Sequence, residues 1–279
     1  MTTTNAQLSV IEKFRALHET GCLVMPNPWD VGTAVYLQHL GFEALATTSA
    51  GFAFTRGLPD TVSAITSGAM LAHIAEVAQA TPLPVNADFQ NGYADEPEGV
   101  AANVVLCVAT GVAGLSIEDA TGNNDTPLYD FDLAVERVRA ARSAMDSTGV
   151  PVLLTARCEA WLVGQDHPFR IALERLVAFA EAGADCLYAP GVSDSDQISA
   201  IVKAVSPKPV NVLVSRPHSE LSLSRLTELG VRRISVGSAL ARVAWEAFIR
   251  ASRNLKAGSF DSFGEAAAIR ELDEVFSRG

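Results

Sequence analysis

The stretch GVAANVVLCVATGVAGLSIED, residues 99–119, holds the architecture of the chain in one unit. Gly99 to Thr110 has the period of an amphipathic helix. Gly111 stands where that helix must stop and turn, a task glycine performs by accepting φ > 0. Gly114 to Glu118 is then a near-continuous apolar run closed by an acid, as expected of a strand buried on both faces in a parallel sheet. The same unit recurs along the chain. Further runs are Cys22 to Pro26, Ala44 to Thr48, Pro84 to Asp88, Val152 to Arg157, Asp185 to Ala189, Pro209 to Val214 and Arg232 to Gly237. Between them lie helix-period stretches at Val31 to Leu40, Ala64 to Gln79, Phe131 to Ser147, Pro168 to Ala182 and Asp194 to Val205, with Gly41, Gly149, Gly183 and Gly230 at the turns.

Eight such units without a break in composition predict a single closed (β/α)8 TIM-type barrel over residues 1–258. A doubly wound open sheet is the alternative, and no GxGxxG turn follows the first run to support it. Leu8 to Thr20 reads as an extra N-terminal helix able to plug the barrel bottom. Phe263 to Phe276 reads as a helix in a C-terminal extension, residues 259–279. Its stripe of Ala266, Ile269, Leu272 and Phe276 must be covered, with a neighbouring subunit as the expected cover.

The chain has 279 residues, 48% of them hydrophobic, and a formal net charge of −11. Without a Lys/Arg block, that balance speaks against a nucleic-acid groove or an anionic membrane surface, both of which need a concentrated positive field. No apolar run reaches the length of a spanning helix, and the amino end reads as neither a leader nor an anchor. Cys22, Cys107, Cys158 and Cys186 are scattered without CxxC spacing, so reduced thiols and a cytoplasmic setting are expected. The expected partners are a small molecule and further copies of the chain.

Chemistry in such a barrel sits at the carboxyl ends of the strands. Those ends carry Pro26-Asn27-Pro28-Trp29-Asp30, Thr47-Thr48-Ser49-Ala50-Gly51, Asn86-Ala87-Asp88, Glu118-Asp119, Arg157-Cys158-Glu159 and Asn211. Asp88, Glu118 and Glu159 converging with one Arg form an oxygen-rich site suited to a hydrated Mg²⁺ with few direct ligands. Thr47 to Gly51 is small and hydroxyl-rich, able to turn backbone N–H groups toward a carboxylate. Arg157 brings a planar fork that meets either a substrate anion or Glu118. His167 and His218 are loop residues near this rim.

On these residues the chain resembles the isocitrate lyase/phosphoenolpyruvate mutase superfamily. The similarity lies in PNPWD at Pro26 to Asp30, the strand-two end followed by RGLPD at Arg56 to Asp60, NADFQNGY at Asn86 to Tyr93, LSIED at Leu115 to Asp119 and TARCEA at Thr155 to Ala160. The resemblance implies a barrel that binds Mg²⁺ or Mn²⁺ with a small 2-oxo acid or its enolate and makes or breaks the bond at C3. It implies Asp88 as direct metal ligand, Glu118 as a ligand through water and Asp60 as an acid near the metal shell. Arg157 is then a substrate contact, Thr48, Ser49 and Ala50 the cradle of the substrate carboxylate, and Asn211 the strand-seven Asn of the lyase branch. It also implies a C-terminal helix exchanged between subunits of a dimer or a dimer of dimers.

Two departures bear on activity. Asn86-Ala87-Asp88 stands where the family often has Asp-x-Asp, which removes a charge from the metal shell. The gate stretch Ala120 to Tyr129, ATGNNDTPLY, has no Cys, Lys or His, whereas the lyase branch carries a Lys/Arg-Lys-Cys-Gly-His motif there. Cleavage of isocitrate or 2-methylisocitrate is therefore not expected, and lysis or decarboxylation of an oxaloacetate-like acid is. A phosphonopyruvate-type mutase or hydrolase and a non-catalytic carboxylic-acid-binding barrel are the alternatives. A Schiff-base aldolase would need a lysine inside the barrel, and Lys13, Lys203, Lys208 and Lys256 close none of the runs.

Overall fold

The computed structural model describes residues 5–62 and 64–277. Its centre is an eight-stranded parallel sheet: β1 (Leu23–Met25), β2 (Leu45–Ala46), β3 (Val85–Ala87), β4 (Gly114–Glu118), β5 (Leu153–Arg157), β6 (Cys186–Tyr188), β7 (Val210–Leu213) and β8 (Arg233–Ser235). Neighbours follow chain order, and β1 pairs with β8. Across the β1–β2 seam the Ala46 N–H donates to Pro26 O at 3.0 Å. Asn27 strengthens that junction: its Nδ2 donates to Thr47 O at 2.9 Å, while its Oδ1 accepts from the Gly237 N–H at 2.9 Å. The result is the expected (β/α)8 barrel, each strand lying inside the run that predicted it.

The helices are α1 (Asn5–Ala16), α2 (Val31–His39), α3 (Ser49–Thr55), α4 (Ser67–Gln79), α5 (Pro97–Val108), α6 (Phe131–Ser147), α7 (Pro168–Glu181), α8 (Ser195–Val205), α9 (Leu223–Glu228), α10 (Ala239–Lys256) and α11 (Ile269–Phe276). The plug prediction is met by α1. Its Ile11 and Phe14 are buried, and Phe14 packs so closely on the start of β4 that a Cβ on Gly114 would lie 2.8 Å from its ring. Sequence periodicity missed α3, because a seven-residue helix gives little period to read.

The C-terminal extension differs from its prediction. Phe263 to Phe276 is not one helix: a 3₁₀ turn (Asp261–Glu265) leads through extended Ala266 and Ala268 into α11. The expected stripe is left uncovered within the chain at Ile269, 78% exposed, and at Phe276, while Val275 is the buried residue of α11. This helix packs on α2 of its own chain, where the Tyr36 hydroxyl donates to Glu271 Oε1 at 2.6 Å. A second bare apolar face belongs to α10, which leaves Leu240, Val243, Trp245, Phe248 and Leu255 exposed and buries only Ala241.

Strand register creates a second feature that local sequence does not display. Glu118 pairs with Arg157, Arg157 with Tyr188, Tyr188 with Asn211 and Asn211 with Arg233. Because barrel strands are staggered, a row of register partners descends as it circles. This row runs from the last residue of β4 at the rim to the first residue of β8 at the floor.

Candidate active site

At the carboxyl rim Arg157 is surrounded by acids. Its Nη1 lies 2.8 Å from Glu118 Oε1 and 3.5 Å from Asp88 Oδ1, and its Nε bonds to Glu159 Oε1. Burial pushes the Glu118 carboxyl well above the carboxylate range; Arg157 opposes this, while Glu159 and Asp88 reinforce it. Glu159 is raised for the same first reason. The arginine in turn is held firmly protonated by those acids despite its burial. Three carboxylates thus share one guanidinium.

The predicted site residues mostly meet here. Asp88 Oδ2 accepts the Ser49 N–H at 2.7 Å, and the Asp88 N–H donates to Thr47 Oγ1 at 2.9 Å, so β2 and β3 hold the acid between them. Thr48 caps α3 through Gly51 N–H, placing Ser49 and Ala50 in the first turn of a helix rather than in a loop. Asp60 lies on the outer lip of the cleft, its carboxyl raised by partial burial and by Asp88. Asn211 sits deeper, its Oδ1 accepting from Arg233 Nε at 3.0 Å and its Nδ2 donating to Ser235 Oγ at 2.9 Å. His167, His218 and Trp29 do not line the cleft.

Two spaces flank Arg157. The open mouth, about 770 Å³, runs between Ser49, Asp60, Glu118, Glu159 and the Asn123–Asn124 tip of the gate. A smaller cavity of about 50 Å³ is lined by Asp88, Arg157, Tyr188, Asn211, Arg233 and Ser235. Both roots of the gate are clamped by buried Arg175, which donates from Nη1 to Asp119 Oδ2 at 3.0 Å and from Nη2 to Tyr129 O at 2.7 Å. The other Asp119 oxygen accepts the Glu159 N–H at 2.8 Å, linking the gate root to the acid beside Arg157. Just past β3, Gln90 holds a strained φ of 47° and its carbonyl accepts the Glu118 N–H at 2.9 Å.

Sequence reading passed over Tyr188, Ser235 and Arg233. Tyr188 lies within the apolar run Asp185 to Ala189, and the signal that marks it is register: it pairs with Arg157 and shares the inward face of β6 with Cys186.

The site suits a divalent cation. Asp88 Oδ1 and Glu118 Oε1 are buried around one Arg157 Nη1, at 3.5 Å and 2.8 Å, and the charge of Asp88 adds to the rise of the Glu118 carboxyl, so the pair has negative charge left for a cation to share. Among the described residues no group of three or more His, Cys, Asp or Glu side chains is placed to ligate an ion together.

An acid-rich strand-end site on a (β/α)8 barrel, with these motifs in this order, defines an enzyme of the isocitrate lyase/phosphoenolpyruvate mutase superfamily. The family model for phosphoenolpyruvate phosphomutase matches residues 14–256, and the chain belongs to that family. It is 34% identical to the uncharacterized protein Rv1998c of Mycobacterium tuberculosis over 81% of each chain. An oxaloacetate decarboxylase of Chromohalobacter salexigens is 28% identical, over 97% of this chain and 95% of that one. Among solved structures, a Burkholderia cenocepacia protein described as a "putative lyase/mutase" superposes with a TM-score of 0.93 at 47% identity, covering 98% and 97% of the two chains. Oxaloacetate acetylhydrolase bound to oxalate superposes at 0.85 with 27% identity, covering 96% and 94%. Among the described residues no helix is long and apolar enough to cross a membrane.

Proposed function

We propose that this enzyme is a Mg²⁺- or Mn²⁺-dependent lyase that breaks the C3 bond of a small 2-oxo acid, with decarboxylation of oxaloacetate as the favoured reaction. The observation that carries this is the cluster of Asp88, Glu118 and Glu159 around Arg157, opening to a gate that has no thiol or cation. Asp88 would hold the metal directly and Glu118 through water, and the bound ion supplies positive charge to the ketone and carboxylate oxygens of the substrate. Arg157 and the first-turn amide of Ala50, with the Thr48 cap behind it and the Ser49 N–H tying Asp88 alongside, fix the substrate carboxylate. Asp60 orders water on the outer side, and Asn211 shapes the floor. Kinship with oxaloacetate decarboxylase and oxaloacetate acetylhydrolase supports this substrate class.

The chemistry of the gate supports decarboxylation over cleavage of the tricarboxylates. Retro-aldol cleavage of isocitrate leaves a carbanion that must be protonated as it forms, and Ala120 to Tyr129 offers only hydroxyls, amides and Asp125. Carbon dioxide departs neutral and makes no such demand. A panel of isocitrate, 2-methylisocitrate, oxaloacetate and phosphonopyruvate with Mg²⁺ tests this reading. Oxaloacetate should lead; isocitrate turnover above it would sink the gate argument. Preference for phosphonopyruvate would assign P–C chemistry, and binding without turnover would assign a carboxylic-acid-binding barrel. In the same reading, residues 1–258 form the catalytic unit of a cytoplasmic homo-oligomer, a dimer of dimers, in which the bare face of α10 and the 259–279 extension meet a second copy.

A further inference from the structure

The register row ends in a hydrogen-bond chain whose directions can be worked out atom by atom. Arg233 is 1% exposed and has no carboxylate partner; it donates to Asn211 Oδ1 at 3.0 Å and to Thr155 Oγ1 at 2.9 Å. An arginine can only donate, so Asn211 must accept at Oδ1 and donate from Nδ2, which it does to Ser235 Oγ. The Ser235 hydroxyl acts on the Tyr188 phenol as a neighbouring partner that lowers its pKa. With the Ser235 oxygen already accepting from Asn211, a contact between serine and tyrosine takes up at most one of their two hydroxyl protons, so one is left unspent. Both residues line the cavity of about 50 Å³ that Asp88 and Arg157 also line.

The phenol is the better donor of the pair. Its ring lies under the Arg157 guanidinium, with Cζ 5.1 Å from the ring centroid, so a phenolate formed there has a cation beside it. Burial holds the Tyr188 pKa up at about 12, with Arg157 and Ser235 pulling the other way, so the group is a loaded acid at neutral pH. A phenol is still several units more acidic than a serine hydroxyl.

We propose that Tyr188 is the proton donor that completes the reaction from the end of β6 beside Arg157, in place of a gate residue, with Ser235, Asn211 and Arg233 aiming its hydroxyl. This rests on the 2-oxo acid reading above. When the C3–C4 bond of oxaloacetate breaks, its electron pair enters the C2–C3 bond of an enolate and CO₂ leaves. The enolate C3 then takes the Tyr188 hydroxyl proton and becomes the methyl group of pyruvate. The phenolate accepts the Ser235 hydroxyl proton as a hydrogen bond, and water returns the transferred proton. Reversed, the same step takes a proton from pyruvate.

Hydrogen exchange at pyruvate C3 in D₂O, followed by proton NMR with the Mg²⁺-loaded full-length enzyme, therefore reads this step without decarboxylation. Tyr188→Phe keeps the ring under Arg157 and removes the proton. It should slow exchange at least 100-fold, while oxaloacetate is consumed within about tenfold of the native rate and oxalate, a planar mimic of the enolate, binds with unchanged affinity in calorimetry. Ser235→Ala should slow exchange less than Tyr188→Phe does. Unchanged exchange in Tyr188→Phe overturns the proposal, as does a larger loss in Ser235→Ala, which would move the donor to the serine. Lost oxalate binding in Tyr188→Phe overturns it too, because the ring would then be holding Arg157 in place. If the native enzyme consumes no oxaloacetate and exchanges no pyruvate, the 2-oxo acid reading fails and takes this proposal with it.

Discussion

Two buried arginines on the inner wall of one barrel, Arg157 at the rim and Arg233 at the floor, live in opposite surroundings. Arg157 faces three carboxylates, none given to it alone, and two of their buried oxygens lack a hydrogen bond. Arg233 faces Asn211, Thr155 and His18, all neutral, and its two closer contacts are well-formed hydrogen bonds. Burying a charge is costly, so each environment must compensate it. At the floor compensation is a closed set of dipoles that asks for nothing more. At the rim it is an excess of negative charge that only a cation or a rearranged proton can balance. Incomplete compensation, rather than burial or charge as such, separates the reaction site from the framework beneath it.

The comparison breaks first at the rim. Asp88→Ala removes the acid tied to Ser49 and should lower turnover by at least 1,000-fold, with the circular dichroism spectrum and melting curve nearly native. Full activity in that variant, or in chelated enzyme, would refute a metal role. Arg157→Lys keeps the charge but loses the fork that reaches Glu118 and Glu159 together, and a drop of about 100-fold in kcat/KM is expected. Unchanged kinetics would make Arg157 a structural ion pair.

At the floor the order of effects should invert. Arg233→Met strands the acceptors on Asn211 and Thr155, so a loss of about 1–3 kcal/mol in denaturant unfolding is expected, outweighing its effect on kcat/KM. A variant as stable as the native protein would show that the dipole set is not structural.

A pH-dependent effect comes from His18, which burial and the neighbouring Arg233 lower from 6.5 to about 4. The unfolded chain then takes up this proton first as the pH falls. The neutral ring therefore contributes its full stability above about pH 6.5, and that contribution is lost as the pH drops toward 4, by roughly 3 kcal/mol at most. The carboxyls of Glu118 and Glu159, raised by burial, act in the opposite direction, so the test is the difference between native and His18→Gln unfolding across that range. A difference that does not change with pH would mean that His18 titrates alike in the folded and unfolded states.

Away from both regions, Phe248→Asp on α10 should lower the mass measured by sedimentation while leaving the barrel folded, and an unchanged mass would mean that this face is not a subunit contact.

The sequence alone determined the barrel, because each β/α unit announces itself within about thirty residues: an apolar run, a glycine turn and an amphipathic helix are local consequences of backbone geometry and burial. It also determined that acids stand at successive strand ends, since a polar residue closing an apolar run is visible wherever it occurs. Asp88, Glu118, Arg157 and Thr48 to Ala50 were legible for that reason. Only the tertiary structure decided which groups share a charge. The stagger of eight closed strands carries Glu118, Arg157, Tyr188, Asn211 and Arg233 along one descending row, and stagger is a property of closure that no single segment encodes. It likewise decided that α11 returns to α2 while α10 stays bare, because amphipathic periodicity says that a face must be covered and is silent on what covers it.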